Sequence, residues 1–207
     1  DLPDYVQRNA LQRIEDRIVA RGDGALPLPT ESALSPLPAL GSVAAGISHL
    51  NVTPDVDGAI RTEPLVLQYF DSFYPSLSLM VASAALNLSP ADIEVDLGQG
   101  IQLGGLRIGT SPALRMYTHF YTDSDEAPAF PVDSAYDVLS GKIAPGRYKD
   151  KVVLIGTTAV GTGDTFATPV SASTPPVVTL AHTVSSLLQG DFYTRPAWAV
   201  WAELGVF

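Results

Sequence analysis

The chain has 207 residues, 46% of them hydrophobic, which suits one domain with a real core or one domain plus a docked arm. Twelve basic residues against 22 acidic ones give a net charge of -10, a surface that repels nucleic acid and anionic lipid and argues against both as partners. There is no cysteine, which excludes thiol catalysis and cysteine-ligated zinc.

Along residues 4–20, Val6, Ala10, Ile14 and Ile18 recur every four positions with Leu11 beside them, and Arg8, Gln12, Glu15, Asp16 and Arg17 occupy the other sides. That spacing predicts an amphipathic helix, stopped by Arg21-Gly22-Asp23-Gly24. Pro27, Pro29, Pro36 and Pro38 mark an irregular connector. Residues 46–52 read as a strand, Thr53-Pro54-Asp55-Val56-Asp57-Gly58 as a turn, and 59–69 as the returning strand of an antiparallel hairpin. Residues 74–88 predict a helix that is apolar nearly all round and so well buried. Short strands follow at 93–97, 101–103 and 106–108, punctuated by Gly98, Gly100, Gly104 and Gly105, with another at 114–121 and a short helix at 133–139.

Lys142, Lys149 and Lys151, the only lysines, fall together before the run Val152-Val153-Leu154-Ile155. Four consecutive apolar residues predict a strand buried on both faces, central in a mixed sheet. Gly156 ends the run, and a Gly/Thr-rich loop leads to Asp164 and Thr168-Pro169. A helix over 177–188 carries Leu180, Val184, Leu187 and Leu188 on one face, with Gly190 as its C-cap. The fold class expected is α/β, a single domain with a mixed β-sheet and flanking helices. After Arg195, residues 196–207 are apolar except Glu203 and contain both tryptophans, Trp198 and Trp201. The run is shorter than the ~20 residues a membrane span needs. It is either the start of a membrane helix or an amphipathic tail packed on the domain.

Few motifs carry chemistry. Asp55-Val56-Asp57-Gly58 opens like a calcium loop, but the twelfth position is Val66 where an EF-hand needs Glu. A tight turn with Asp caps and positive φ at Gly58 is favoured. Gly156, Gly161 and Gly163 lack the Lys-Ser/Thr pair of a P-loop and the dinucleotide spacing. His49, His119 and His182 match no metal-ligand spacing, and each reads as a lone histidine satisfied by hydrogen bonds. No Gly-x-Ser-x-Gly elbow is present. No catalytic residue, metal or cofactor is therefore expected. If the domain senses a small molecule, the expected contacts are Thr157, Thr158 and Asp164, because amides at a strand's carboxyl end point into a crevice and glycines allow close approach. Asp55 and Asp57 join them if the fold brings the turn near that loop. Net acidity favours a cationic or neutral ligand.

Three blocks in order resemble the second class of CHASE domain, the cyclases/histidine kinases associated sensory extracellular domains. The first is Leu50-Asn51-Val52-Thr53-Pro54-Asp55-Val56-Asp57-Gly58-Ala59-Ile60-Arg61, continued by Pro64-Leu65 and Tyr74-Pro75-Ser76-Leu77. The second spans 139–169, with its apolar run and Ile155-Gly156-Thr157-Thr158-Ala159-Val160-Gly161. The third runs from Pro175 to Gly190 and on to Arg195-Pro196. Pro176 and Leu180 stand where the family usually has Gly and His, so no role for that histidine carries over, and His182 does not replace it by position.

The resemblance implies a sensory domain over 1–195 that lacks the family's N-terminal part, with 196–207 as the truncated start of a transmembrane helix. It implies the extracytoplasmic, periplasmic or extracellular part of a bacterial inner-membrane receptor whose output is a histidine kinase, an adenylate or guanylate cyclase, or a Ser/Thr kinase. Expected partners are an unidentified small-molecule or physical stimulus, the membrane through flanking helices of the full-length protein, and a second copy in a homodimer. Two other readings of the residues stay open: an α/β enzyme acting on a small substrate at the 156–164 loop, and a ligand-free dimerisation module.

Overall fold

A computed structural model describes residues 2–16, 27–124, 128–159, 163, 165–194 and 205. Among them, short strands and helices alternate along the chain: α1 (Asp4–Gln7), β1 (Arg13–Glu15), β2 (Leu28–Thr30), α2 (Pro38–Gly41), β3 (Thr62–Pro64), β4 (Val66–Tyr69), β5 (Ser72–Pro75), α3 (Leu77–Ala85), β6 (Ile93–Asp96), β7 (Gly100–Leu103), β8 (Leu106–Gly109), β9 (Arg115–Thr118), α4 (Ala135–Leu139), β10 (Phe166–Thr168), β11 (Ser171–Thr174), α5 (Pro176–Gln189) and β12 (Phe192–Tyr193). The fold is α/β with mixed sheets and flanking helices, as the sequence predicts.

The β6–β7–β8 meander is built from local hairpins. Leu103 and Leu106 pair across the two-residue loop Gly104-Gly105, and Gly104 takes φ +56, the positive φ a tight hairpin needs. Ile93, Val95, Ile101, Leu103 and Ile108 alternate onto one face and meet Leu65, Leu79, Leu114, Met116 and Leu187 in one core. The predicted strands at 93–97, 101–103, 106–108 and 114–121 and the helices at 133–139 and 177–188 all form, with ends moved by a few residues. The helix predicted over 74–88 starts later. Residues 72–75 pair with β4, and Ser76 then caps α3 by accepting from the Leu79 amide at 3.2 Å.

Three expectations are overturned. The helix over 4–20 lasts one turn, and residues 13–15 instead add a strand parallel to β6; residues 17–20, with the predicted stop at 21–24, lie outside the described set. Asn9 breaks the helix. It is 4% exposed, its Nδ2 donates to the Tyr5 and Val6 carbonyls, and its Oδ1 accepts from the Ile47 amide. A side chain that satisfies its own backbone competes with the helical ladder. The open β6 edge then captures the residues beyond, with Leu11 buried and Ile14 packed on the core.

The hairpin of 46–52 with 59–69 does not form. The chain changes partner at Leu65: β3 pairs antiparallel with β9, while β4 pairs with β5 and with β2. Residues 46–52 contribute only a bridge from His49 to Ser76. The run 152–155 is neither a strand nor buried. Val152, Val153 and Ile155 are 44%, 51% and 93% exposed. An apolar run becomes a buried strand only where neighbouring strands pair with it, and among the described residues none does so.

Replacing Asn9 with Ala removes both donors and the acceptor for Ile47. The variant should lose about 1–3 kcal/mol in urea unfolding.

Candidate functional site

Thr157 and Thr158 lie in the exposed segment after the apolar run. Behind it, a Cβ on Gly156 would come within 2.6 Å of Val177, so α5 backs the loop closely. A Cβ on Gly163 would sit 3.3 Å from Thr157 Oγ1, which places the far side of the loop beside that hydroxyl. Asp164 lies outside the described residues.

Asp55 and Asp57 are brought together by Arg61. Its Nη1 reaches Asp55 Oδ2 at 2.8 Å and Asp57 Oδ1 at 2.9 Å, and its Nη2 reaches Asp57 Oδ2 at 2.6 Å. The turn is otherwise closed by its own backbone. The Asp55 amide donates to Ala59 O, the Gly58 amide to Asp55 O, and the Ala59 amide to Asp57 Oδ1, with Gly58 at φ +81. This is the Asp-capped turn the sequence favoured. The Arg61 guanidinium, aided by the Ala59 amide, holds the Asp57 carboxyl well below the usual carboxylate range. It also occupies the oxygens that a calcium loop would turn on its ion. Among the described residues no group of three or more His, Asp or Glu is placed to hold a metal. Arg115 fixes the start of the turn, donating from Nη2 to Thr53 O at 3.0 Å and to Thr62 Oγ1 at 2.8 Å. Downstream, Ala59 bridges Ala167 and the Ile60 amide donates to Ala167 O, so the turn lies alongside β10, the strand that follows the 156–164 loop.

A polar seam inside the fold escaped the reading of the sequence. Glu63 on β3 sits opposite the buried Met116 and accepts from Ser78 Oγ at the first turn of α3. Burial pushes its carboxyl up, while the hydroxyls of Ser78, Thr183 and Ser76 pull it back. On α5, Thr179, His182, Thr183 and Ser186 are all buried. His182 Nδ1 accepts from the Tyr121 amide at 3.1 Å, with the rings of Phe120, Tyr121 and Phe130 around it. Burial is the main cause holding His182 down at about 4. Ser186 Oγ accepts from the His119 amide at 3.1 Å, and His119 Nδ1 meets Tyr193 Oη at 2.7 Å. Tyr121 Oη donates to Asp191, and burial together with that carboxylate pushes the phenol up to about 12. The available signal was the spacing of Thr179, His182, Thr183 and Ser186, a second helical stripe beside the leucines that meets Thr118 of β9 and the backbone of 119–121.

The family model described as the CHASE2 domain matches residues 4–207. The chain belongs to the CHASE2 domain family. No curated protein and no solved structure matches it. CHASE2 domains are sensory domains, generally the extracellular parts of receptor proteins. Among the described residues no helix is long and apolar enough to cross a membrane.

In this CHASE2 domain the motif residues have structural work. Arg61 clamps the Pro-Asp-Val-Asp-Gly turn, Pro64-Leu65 carries the change of strand partner, and Ser76 caps α3 beside Glu63.

The seam gives opposite pH signatures. His182, with its pKa lowered, contributes stability that is complete above its ordinary value of 6.5 and is lost as pH falls toward about 4. His49 behaves likewise, being held at about 4 by burial. His182→Gln keeps an acceptor for Tyr121 without titrating. Between about pH 7 and about pH 4.5 its Tm should fall by about 4 °C less than the wild type's. Glu63, with its pKa raised, contributes most below the ordinary carboxyl range and loses that contribution as pH rises. Glu63→Gln should therefore raise Tm by about 3 °C at about pH 8 and change it little at about pH 4. Both profiles are read by thermal unfolding followed by circular dichroism.

Proposed function

We propose that this chain is the extracytoplasmic signal-sensing domain of a transmembrane receptor, passing a small-molecule or physical stimulus to a cytoplasmic histidine kinase, adenylate or guanylate cyclase, or Ser/Thr kinase. The observation that carries the reading is the CHASE2 match across residues 4–207. In this reading residues 1–195 form the sensory domain, residues 196–207 lead into a membrane helix of an inner-membrane protein, and the receptor works as a homodimer. Among residues 196–207 only Gly205 is described.

The stimulus is read by the loop residues Thr157, Thr158 and Asp164, together with the turn of Asp55 and Asp57. The pairing of Ala59 with Ala167 supports including the turn, because it ties Asp55 and Asp57 to the strand that follows the loop. With Arg61 counted, the turn's three side chains carry one net negative charge, which suits a cationic or neutral ligand.

The test uses the full receptor and its natural stimulus. Thr158→Val and Asp164→Asn should each raise the stimulus level for half-maximal output by about fivefold or more, with Tm of the domain unchanged. An unchanged response with unchanged stability places the stimulus elsewhere. A lost response accompanied by a large drop in Tm makes Asp164 a structural residue.

A further inference from the structure

A cavity of about 900 Å³ lies between α1, the 32–51 segment and the β2–β4–β5 sheet, far along the chain from the 156–164 loop. Its walls are apolar, with Val6, Leu34, Leu40, Ile47, Leu67 and Tyr74 among them, and among the described residues no Lys, Arg, Asp or Glu lines it. The size and lining suit a small organic molecule held mostly by apolar contact. The outer wall is fastened to α1 by three bonds: Tyr5 Oη donates to Pro36 O at 2.9 Å, Arg8 Nη2 to Ala44 O at 2.8 Å, and the Ile47 amide to Asn9 Oδ1 at 3.1 Å.

Two polar residues of the lining are unsatisfied. Among the described residues, His49 Nε2 and Ser48 Oγ are both buried without a hydrogen-bond partner. The Asn51 amide donates to His49 Nδ1 at 3.4 Å, which leaves the Nε2–H as the ring's donor. Burial holds the imidazole down at about 4, so the ring is neutral near pH 7. A buried N–H without an acceptor has lost its water and gained nothing, and such groups in folded proteins point to a missing partner. The missing partner is an acceptor. A carboxylate or phosphate would find no cation among the described residues of the lining and a net charge of -10 around it.

We propose that this cleft binds a neutral, largely apolar molecule carrying one hydrogen-bond acceptor such as a ketone or ester carbonyl, which takes the His49 Nε2–H and the Ser48 hydroxyl. The site is independent of the receptor reading and of the 157–164 loop.

The probe is 6-propionyl-2-(dimethylamino)naphthalene, a neutral fluorophore with one ketone. Titrated against the purified domain it should bind saturably with blue-shifted emission and a Kd on the order of 10 μM. His49→Phe keeps the apolar wall and removes the donor, and should weaken binding about five- to tenfold. Ala33→Trp adds an indole at an exposed position of the lining, where the fold tolerates it, and should abolish binding. 2-Nonanone should displace the fluorophore, and nonanoate should not. Absence of saturable binding to the wild type overturns the proposal, as does undiminished affinity in Ala33→Trp or equal displacement by nonanoate. Undiminished affinity in folded His49→Phe overturns the role of the ring. Should His49→Phe fail to fold, Ala33→Trp and the two competitors decide the matter alone.

Discussion

The rest of the structure hangs from the exchange of partners at Leu65. Its amide donates to Leu114 O, continuing the pairing of β3 with β9, and its carbonyl accepts from the Ser76 amide, beginning the pairing of β4 with β5. One fully buried residue thus joins two sheets. The same bond fixes Ser76, whose side chain starts α3, and it sets Glu63 two residues upstream against that helix start. A carboxylate is tolerated there because hydroxyls and the positive end of a helix face it. Sliding β3 by one residue would take Glu63 off the Ser78 hydroxyl and break the bond from Arg115 to Thr62 Oγ1.

Polar burial is the second constraint. α5 buries two faces: Val184 and Leu187 on the apolar side, and Thr179, His182, Thr183 and Ser186 on the other. The polar face is satisfied locally and across the fold. Thr183 and Ser186 donate back to the carbonyls four residues before them, while His182 and Ser186 hold the backbone of 119–121. Such a network fixes one register between α5 and the backbone of 119–121 more tightly than apolar packing alone, since a shifted helix would strand the His119 and Tyr121 amides that Ser186 and His182 accept from.

What the sequence disclosed follows from how far apart the partners are. The β6–β8 meander was legible because its pairings lie within hairpins and its glycines mark the turns. α5 was legible from its leucine stripe and from Gly190, which takes φ +73 at the C-cap. The strand at 13–15 was not, because its pairing runs from Arg13 to Glu94 and no local signal announces an open edge that far away. Residues 152–155 failed for the converse reason: an apolar run states a capacity for burial, and the neighbours decide whether it is used. At the candidate site the Asp-capped turn was readable from Asp-Val-Asp-Gly, and Arg61 stands only four and six positions from its two carboxylates, whereas the meeting of His182 with residues 119–121 is a product of tertiary packing.

The Arg61 turn also says something about how the chain assembles. Its ion pairs join residues four and six positions apart, so closing them costs little chain entropy. The bond from Arg115 to Thr53 spans 62 positions and waits for β9 to dock on β3. The turn is thus a clasp of opposite charges that needs no distant partner to close, and because its ion pairs are exposed, high salt weakens the clasp.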